Sequence, residues 1–515
     1  MRITNKMMTN NMLHNINTNK NHMSNLENKY ASGMEIQKPS DDPIVAVRAL
    51  KLRSNLSELN QYYQKNIPDA MSWMEVTESA LRNTSEIITQ IHTYCDQGAN
   101  DTLTASEREN IVQNLNELKN QIYMEGNSTY AGRYIFTGYK TNTGLVFDKQ
   151  EKNINYKITE EIDSSEIEIS DRIVDSLKME DFDTLAKVDA ITDTGSLGRP
   201  SSNTIYRLRL SYDNIRDIEE LKVKQPRLDA QGKQMTDADG NKLYDDVAVI
   251  PKAGMTVVSS DDPKAYKTGD NEIIFVEDTG EIILGKDNYS AWRNYKFDVT
   301  YDKDTFEKNE LKPEHYFNCT ATDKTTGEQI NYKKEDQEIR YEVNFNQTLA
   351  INVQGRDAFR HSLGRSIDDI VKSISDVNAV KEKIAKVEKM ISDTSATNEQ
   401  KTKLQEINKM LKAELDLKDS KMREAYGRGL TAMDKEEDMV SSATSDIGTR
   451  YNRLELTSDR LSAQQVEFTD LLSQNEDADL VDTIVNYNAA NTVYNASLQA
   501  AGKVVKTTLL DFLEN

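Results

Sequence analysis

The sequence predicts a mainly α protein: a long helical bundle or coiled coil built from both chain ends, with a β-rich insertion in the middle. Three observations carry this. Apolar residues recur at steps of three and four in both flanks, the step changes to two between about residues 141 and 355, and proline is absent from Pro68 to Pro200 and again after Pro313. Gly, Pro and Asp-Gly turn signals gather in the same middle stretch.

The first 23 residues contain seven asparagines, yet Met8, Met12, Ile16, Met23 and Leu26 lie at helical spacing, with Asn19 filling the one gap. A helix is therefore expected, although asparagine is a poor helix former. The next stretch, QKPSDDPIVAVRAL, starts a second helix: Asp42 can accept from the first free amides, and Pro43 suits the first helical position. Its stripe is Val45, Ala49, Leu52, Leu56, Leu59 and Tyr63, after which Pro68 is expected to interrupt. A third helix carries Met74, Leu81, Ile88 and Cys95 at intervals of seven, and Gly98 ends it. Thr104 to Glu107 form a capping box for a fourth, with Ile111, Leu115, Leu118 and Ile122 on one side.

Alternation then takes over. Ile154, Tyr156 and Ile158, then Tyr206, Leu208 and Leu210, then Phe297, Val299 and Tyr301, and finally Tyr341, Val343 and Phe345 alternate with polar neighbours, as half-buried strands do. FVEDTGEIILG reads as a hairpin turning at Asp278-Thr279-Gly280. Helical spacing returns after His361. Residues 381–426 form a charged helical hairpin that bends at SDTSATNEQ. The last stretch steps by four and three through Leu480, Ile484, Tyr487, Asn491, Tyr494, Leu498, Ala501, Val505, Thr508 and Phe512, a heptad seam with two polar members. Neither end has a second helix beside it in sequence, so each is the natural cover for the other.

Composition narrows function. The formal charge of -22 would be repelled by nucleic acid and by anionic membrane surfaces, so no nucleic acid and no membrane partner is expected. No apolar run approaches membrane-spanning length. Arg2 and Lys6 are not followed by the apolar core of a cleavable signal, which leaves the cytoplasm or export by another route. Mean hydropathy of -0.71 suggests much wetted surface. The two cysteines, Cys95 and Cys319, give neither a disulfide framework nor a metal spacing, and Cys95 reads as filler of a small apolar site. The five histidines are scattered, no phosphate loop or nucleophile elbow occurs, and no cofactor is expected. MTDADGNKLYDD has Asp237, Asp239 and Gly240 where a calcium loop would, but Met235 at the first ligand position; a β-turn is the better reading. The chain is not read as an enzyme.

The segments ASGMEIQKPSDDPIVAVRALKLRSNL and YYQKNIPDAMSWMEVTESAL resemble the amino-terminal region of bacterial flagellins. GNSTYAGRYIFTGYKT (Gly126 to Thr141) is similar to the place where that family leaves its helices, and NAANTVYNASLQAAGKVVKTTLLDFL resembles its carboxyl terminus. Ser40, Asp41, Asp42 and Pro43 resemble the hook-filament junction branch, whereas flagellins place small residues after the double Asp. The resemblance covers roughly 1–141 and 430–515.

It implies a flagellin-like fold and a structural subunit exported unfolded through the flagellar channel, its amino terminus acting as an uncleaved signal. The implied partners are hook-associated protein 1 on one side, flagellin on the other, further copies of the chain itself, the export apparatus and a cytoplasmic export chaperone; the implied location is the extracellular flagellum. The expected division is an axial core helix at 1–42, the first half of a helical rod at 43–140, the insertion at 141–355, the second half of the rod at 356–474, and a second axial core helix at 475–515. The expected assembly interface is Met8, Met12, Ile16, Met23 and Leu26 with Leu480, Ile484, Tyr487, Asn491, Tyr494, Leu498, Val505 and Phe512. Two other readings stay open: a filament flagellin, and a ligand-binding or enzymatic exoprotein whose insertion is the active part.

Overall fold

The computed structural model describes residues 5–99, 103–229, 231, 233–237 and 242–513. Its contacts divide the chain into two compact units, Met1–Met71 with Arg340–Leu349 and Tyr451–Asn515, and Ser72–Ile339 with Ala350–Arg450.

The first, terminal unit contains helix α1 (Asn5–Ser32), helix α2 (Pro43–Gln61) and the start of α3 (Ile67–Gly98). Asp42 caps α2, its Oδ1 accepting from the amides of Ile44 (2.9 Å) and Val45 (3.1 Å), with Pro43 following in the first turn. Asp41 does separate work, since its Oδ2 accepts from the amides of Gln37 (3.2 Å) and Lys38 (2.9 Å) and closes the preceding turn.

Pro68 does not interrupt the helix, contrary to the sequence expectation. Tyr62–Asn66 widen into one π-helical turn, in which the Ile67 amide donates to the Tyr62 carbonyl, and α3 continues directly. Proline has no amide to give to the carbonyl four residues back and its ring crowds that position, so a locally wider turn is a way to keep the helix running.

The second unit holds the rest of α3 and α4 (Ala105–Glu125), which starts on the expected capping box: the Thr104 amide donates to Glu107 Oε2 (2.7 Å) and the Glu107 amide to Thr104 Oγ1 (3.3 Å). Cys95 is buried on α3, and burial pushes its thiol up to about 12, as it does for Cys319. Strands follow in chain order: β1 (Thr129–Tyr130), β2 (Arg133–Tyr134), β3 (Ile154–Asp163), β4 (Glu168–Val174), β5 (Ser201–Arg209), β6 (Asp217–Pro226), β7 (Tyr244–Pro251), β8 (Thr256–Val258), β9 (Ile273–Val276), β10 (Glu281–Leu284), β11 (Lys296–Lys303), β12 (Asn318–Asp323) and β13 (Gln329–Tyr332). They make a six-stranded sheet ordered β13-β12-β3-β11-β6-β7 and a five-stranded sheet ordered β4-β5-β10-β9-β8. The alternating residues of both sheets meet in one core that includes Ile158, Leu208, Leu221, Phe275, Ile282, Phe297, Val299 and Tyr301. The β9–β10 hairpin turns at Gly280, whose φ of +61 and close approach to the Tyr212 carbonyl leave no room for a side chain.

Two further short helices, α5 (Leu185–Ala190) and α6 (Lys286–Trp292), lie within the strand region. Beyond it, α7 (His361–Ser392) and α8 (Asn398–Glu476) run well past the 381–426 hairpin read from the sequence in both directions, with Val380, Ile384 and Val387 packed with Leu404, Ile407 and Leu411. Leu177, Phe182, Val188 and Ile191, from the stretch around α5, complete that core. On the five-stranded sheet, buried Arg207 is held by Glu281 (2.5 Å), by Asp369 of α7 (2.8 Å) and by Glu168; Arg172 reaches Glu281 (3.0 Å) and Arg209 reaches Asp369 (2.7 Å). These pairs fix the sheet to α7 by ionic contacts that are satisfied only in one arrangement.

The terminal unit is completed by β14 (Arg340–Asn344), by most of β15 (Gln347–Ala350), by residues 451–476 of α8 and by α9 (Leu480–Leu513). The end of α8 runs beside α2: Gln465 Nε2 donates to Asn60 (2.7 Å), Asn475 Nδ2 to the Val45 carbonyl (3.1 Å), and Arg53 pairs with Glu476 (2.7 Å).

Candidate assembly surface

Helices α1 and α9 pair antiparallel in the terminal unit. One end of the pair is tied by backbone bonds, Glu35 N to Glu476 O (2.7 Å) and Ala478 N to Gly33 O (2.9 Å), and Asn19 Nδ2 donates to Ser497 Oγ (2.8 Å) along the seam. On α1 the half-buried positions are Thr9, Met12, Ile16, Asn19, Met23, Leu26 and Lys29, which include the expected stripe from Met12 to Leu26 with its asparagine, while Met8 is exposed.

Helix α9 differs from the expectation in which stripe faces inward. Its sheltered residues are Thr483, Tyr487, Ala490, Asn491, Tyr494, Ser497 and Ala501, whereas Leu480, Ile484 and Leu498 are exposed by 47%, 39% and 43%. Val505 and Phe512 lie on the helix, with their side chains outside the described residues. Two stripes share Tyr487, Asn491, Tyr494 and Ala501. The small, polar one meets α1, because the methionines and isoleucine of α1 already fill the space and a close approach needs Ala, Ser and Thr opposite. The large apolar one is left outward. Reading by side-chain size alone selects the outward stripe; the spacing of Thr483, Ala490 and Ser497 by seven was the signal for the inward one.

The outward surface is unusual for a lone molecule. Eighteen of the twenty-six exposed large hydrophobic side chains among the described residues lie in the terminal unit, which holds just over a quarter of the chain. They include Met7, Met8 and Leu13 on α1, Ile44, Val47 and Leu50 on α2, Leu456, Val466 and Leu471 on α8, and Leu480, Val481, Ile484, Val485, Val493 and Leu498 on α9. Single exposed hydrophobics need no explanation, but contiguous faces of them mark interaction sites. From Leu480 to Gly502 the one charged residue is Asp482, in a chain that is 29% charged. A nearly uncharged helix can lie against copies of itself without the repulsion that the net charge would otherwise impose.

Residues 3–141 match the bacterial flagellin N-terminal helical region, and residues 430–513 match the bacterial flagellin C-terminal helical region. Both ends of the chain are thus similar to the terminal helical regions of bacterial flagellins. The flagellin of Clostridium tyrobutyricum is 33% identical over 129 residues, 25% of this chain and 34% of that protein. Flagellar hook-associated protein 3 of Salmonella typhimurium is 30% identical over 172 residues, 32% of this chain and 53% of that protein, and its Escherichia coli counterpart is 27% identical over 184 residues, covering 34% and 58%. The chain thus spans about a third to just over half of the curated relatives it matches. A solved structure of a putative flagellar hook-associated protein from Vibrio parahaemolyticus aligns over 85% of this chain and all of that one, at 13% identity and a TM-score of 0.36.

The flagellin-type ends therefore coincide with the helices that carry the outward apolar faces. In the region between them, Met235 and Asp237 are described, whereas Asp239 and Gly240 of the calcium-loop-like stretch lie outside the described residues. Among the described residues, no group of three or more His, Cys, Asp or Glu is placed to hold a metal ion, and no helix is long and apolar enough to cross a membrane.

Proposed function

We propose that the chain is a structural subunit of the bacterial flagellum that joins the hook to the filament, and that it assembles by burying the outward faces of its terminal helices against neighbouring subunits. The observation that carries the reading is the nearly uncharged apolar face of α9, left outward while a stripe of mostly small and polar residues on the same helix meets α1, on helices of flagellin type. Each Leu, Val or Ile that moves from water into such a contact contributes roughly 1.5 to 3 kcal/mol, so a few residues per subunit suffice to drive ordered association. The proposed neighbours are hook-associated protein 1 on the hook side, flagellin on the filament side and further copies in the same layer, with the flagellar export apparatus and a cytoplasmic chaperone acting before assembly. The division into terminal core helices at 1–42 and 475–515, helical rod halves at 43–140 and 356–474 and an insertion at 141–355 belongs to this proposal. So do the extracellular location, the absence of a catalytic role and the interface formed by the residues named above.

Deletion of the gene tests it. Cells should keep their hooks and shed flagellin into the medium; normal filaments on such cells would contradict the reading. Identity to a flagellin is as high as to the hook-associated proteins, which favours keeping the filament subunit as a second reading. Abundance separates the two, because a flagellin dominates sheared filaments by mass and a junction subunit is a trace.

A further inference from the structure

We infer that Asn19 and Ser497 form a polar pin that fixes the register of the α1–α9 pair, and that Asn19 positions the outward face of α9 rather than strengthening the pair. The inward stripe of α9 repeats at seven-residue spacing through Thr483, Ala490 and Ser497, all small, with Tyr487 and Tyr494 repeating between them. A seam of this kind offers nearly the same packing after a slip of one heptad, so beyond the backbone bonds that tie its Gly33–Glu35 end, apolar contacts specify its register weakly along the helices. The asparagine breaks the degeneracy. Its Nδ2 donates to Ser497 Oγ at 2.8 Å, and that hydroxyl spends its own proton on the Val493 carbonyl at 2.7 Å, which turns its lone pairs toward the incoming amide. A slip by one heptad would set Ala490 or Val504 opposite Asn19 and leave a half-buried carboxamide without its acceptor, a penalised state. The register matters beyond the pair, because a slip would carry the outward residues Leu480, Ile484 and Leu498 about 10 Å along α1, seven residues at about 1.5 Å of rise each, and so shift the outward face of α9 against that of α1.

The test reads the register directly in the full-length chain. Cysteines replace the exposed Asn28 and Gln499 in a background carrying Cys95→Ala and Cys319→Ala; both sites take nitroxide labels, and the labelled chain is diluted into unlabelled chain so that electron-electron distances report within one molecule. The wild-type pair should give one distance. Asn19→Leu should keep the helices paired and add a second population displaced by about 10 Å along the helix axis. Exchanging the partners, Asn19→Ser with Ser497→Asn, should return the single distance. The inference is overturned by one unshifted distance in Asn19→Leu, by a swap that behaves like Asn19→Leu, or by no defined distance in the wild type. It concerns pairing within one chain; a wild type with one distance that never assembles would leave the pin standing and remove the assembly reading.

Discussion

At the scale of single residues, Arg207 is among the most confined charges in the second unit, almost wholly buried and held by Glu281, Asp369 and Glu168. Burial by itself would raise the Glu281 carboxyl, but Arg172, Arg207 and Arg209 hold it down to about 2. The same arginines hold Asp369 well below the usual carboxylate range against its burial. Because Glu281 is depressed in the folded chain, its contribution to stability is complete above its ordinary value of 4.5 and is lost as the pH falls from there toward about 2. Denaturant unfolding followed across that window should show stability declining, and Glu281→Gln should flatten the decline; an unchanged slope would count against the cluster. At neutral pH, Asp369→Asn should destabilise the second unit by about 3 to 5 kcal/mol, since it strands buried guanidinium charge. In the terminal unit, Asp42→Ala removes the acceptor for the Ile44 and Val45 amides and should cost about 0.5 to 2 kcal/mol, measured as a lowered unfolding midpoint of that unit.

At the scale of elements, the π-helical turn at Tyr62–Asn66 shows how a distant strand pair serves a helix. The β14–β15 hairpin sits on this turn: Phe345 packs edge-on against Tyr62 at 5.5 Å, Asn66 Nδ2 donates to the Glu342 carbonyl at 2.9 Å, and the Tyr341 hydroxyl bonds Asp69. Tyr341→Phe combined with Phe345→Ala should raise amide exchange across 62–67 and leave α4 unchanged, read by hydrogen-exchange mass spectrometry; equal exchange in both chains would show that the turn holds without its hairpin. Most elements were legible in the sequence, because caps and periods are local: Asp42 and Pro43 announced α2, Thr104 and Glu107 announced α4, and Asp278-Thr279-Gly280 announced the β9–β10 turn. Pro68 was misread because proline rules assume the α-helical bond pattern, and a wider turn evades them. The ionic cluster around Arg207 was invisible, since its members lie as far apart in sequence as Glu168 and Asp369 and only the sheet brings them together. The stripe of α9 that faces α1 was missed for a different reason: size-based periodicity cannot distinguish a face buried within the chain from one left for a neighbour, and here the larger residues are the outward ones.

For the whole molecule, the two stripes of α9 separate folding from assembly, and paired substitutions can tell them apart. Ala490→Asp places a charge in the sheltered seam and should unpair α1 and α9, lowering helix content by circular dichroism. Leu498→Asp places the same charge on the outward face and should leave the pair intact while preventing incorporation into the flagellum; if instead it incorporates normally, that face is not buried in the assembly. The most direct measurement is hydrogen exchange resolved along Leu480–Gly502, taken on dilute full-length chain and again on the chain assembled into flagella. Protection that is markedly weaker in the dilute chain, where only the pair itself shelters the helix, than in the assembly is the expected result. Equally strong protection in both states, with Leu498 still open to solvent in the flagellum, would contradict it.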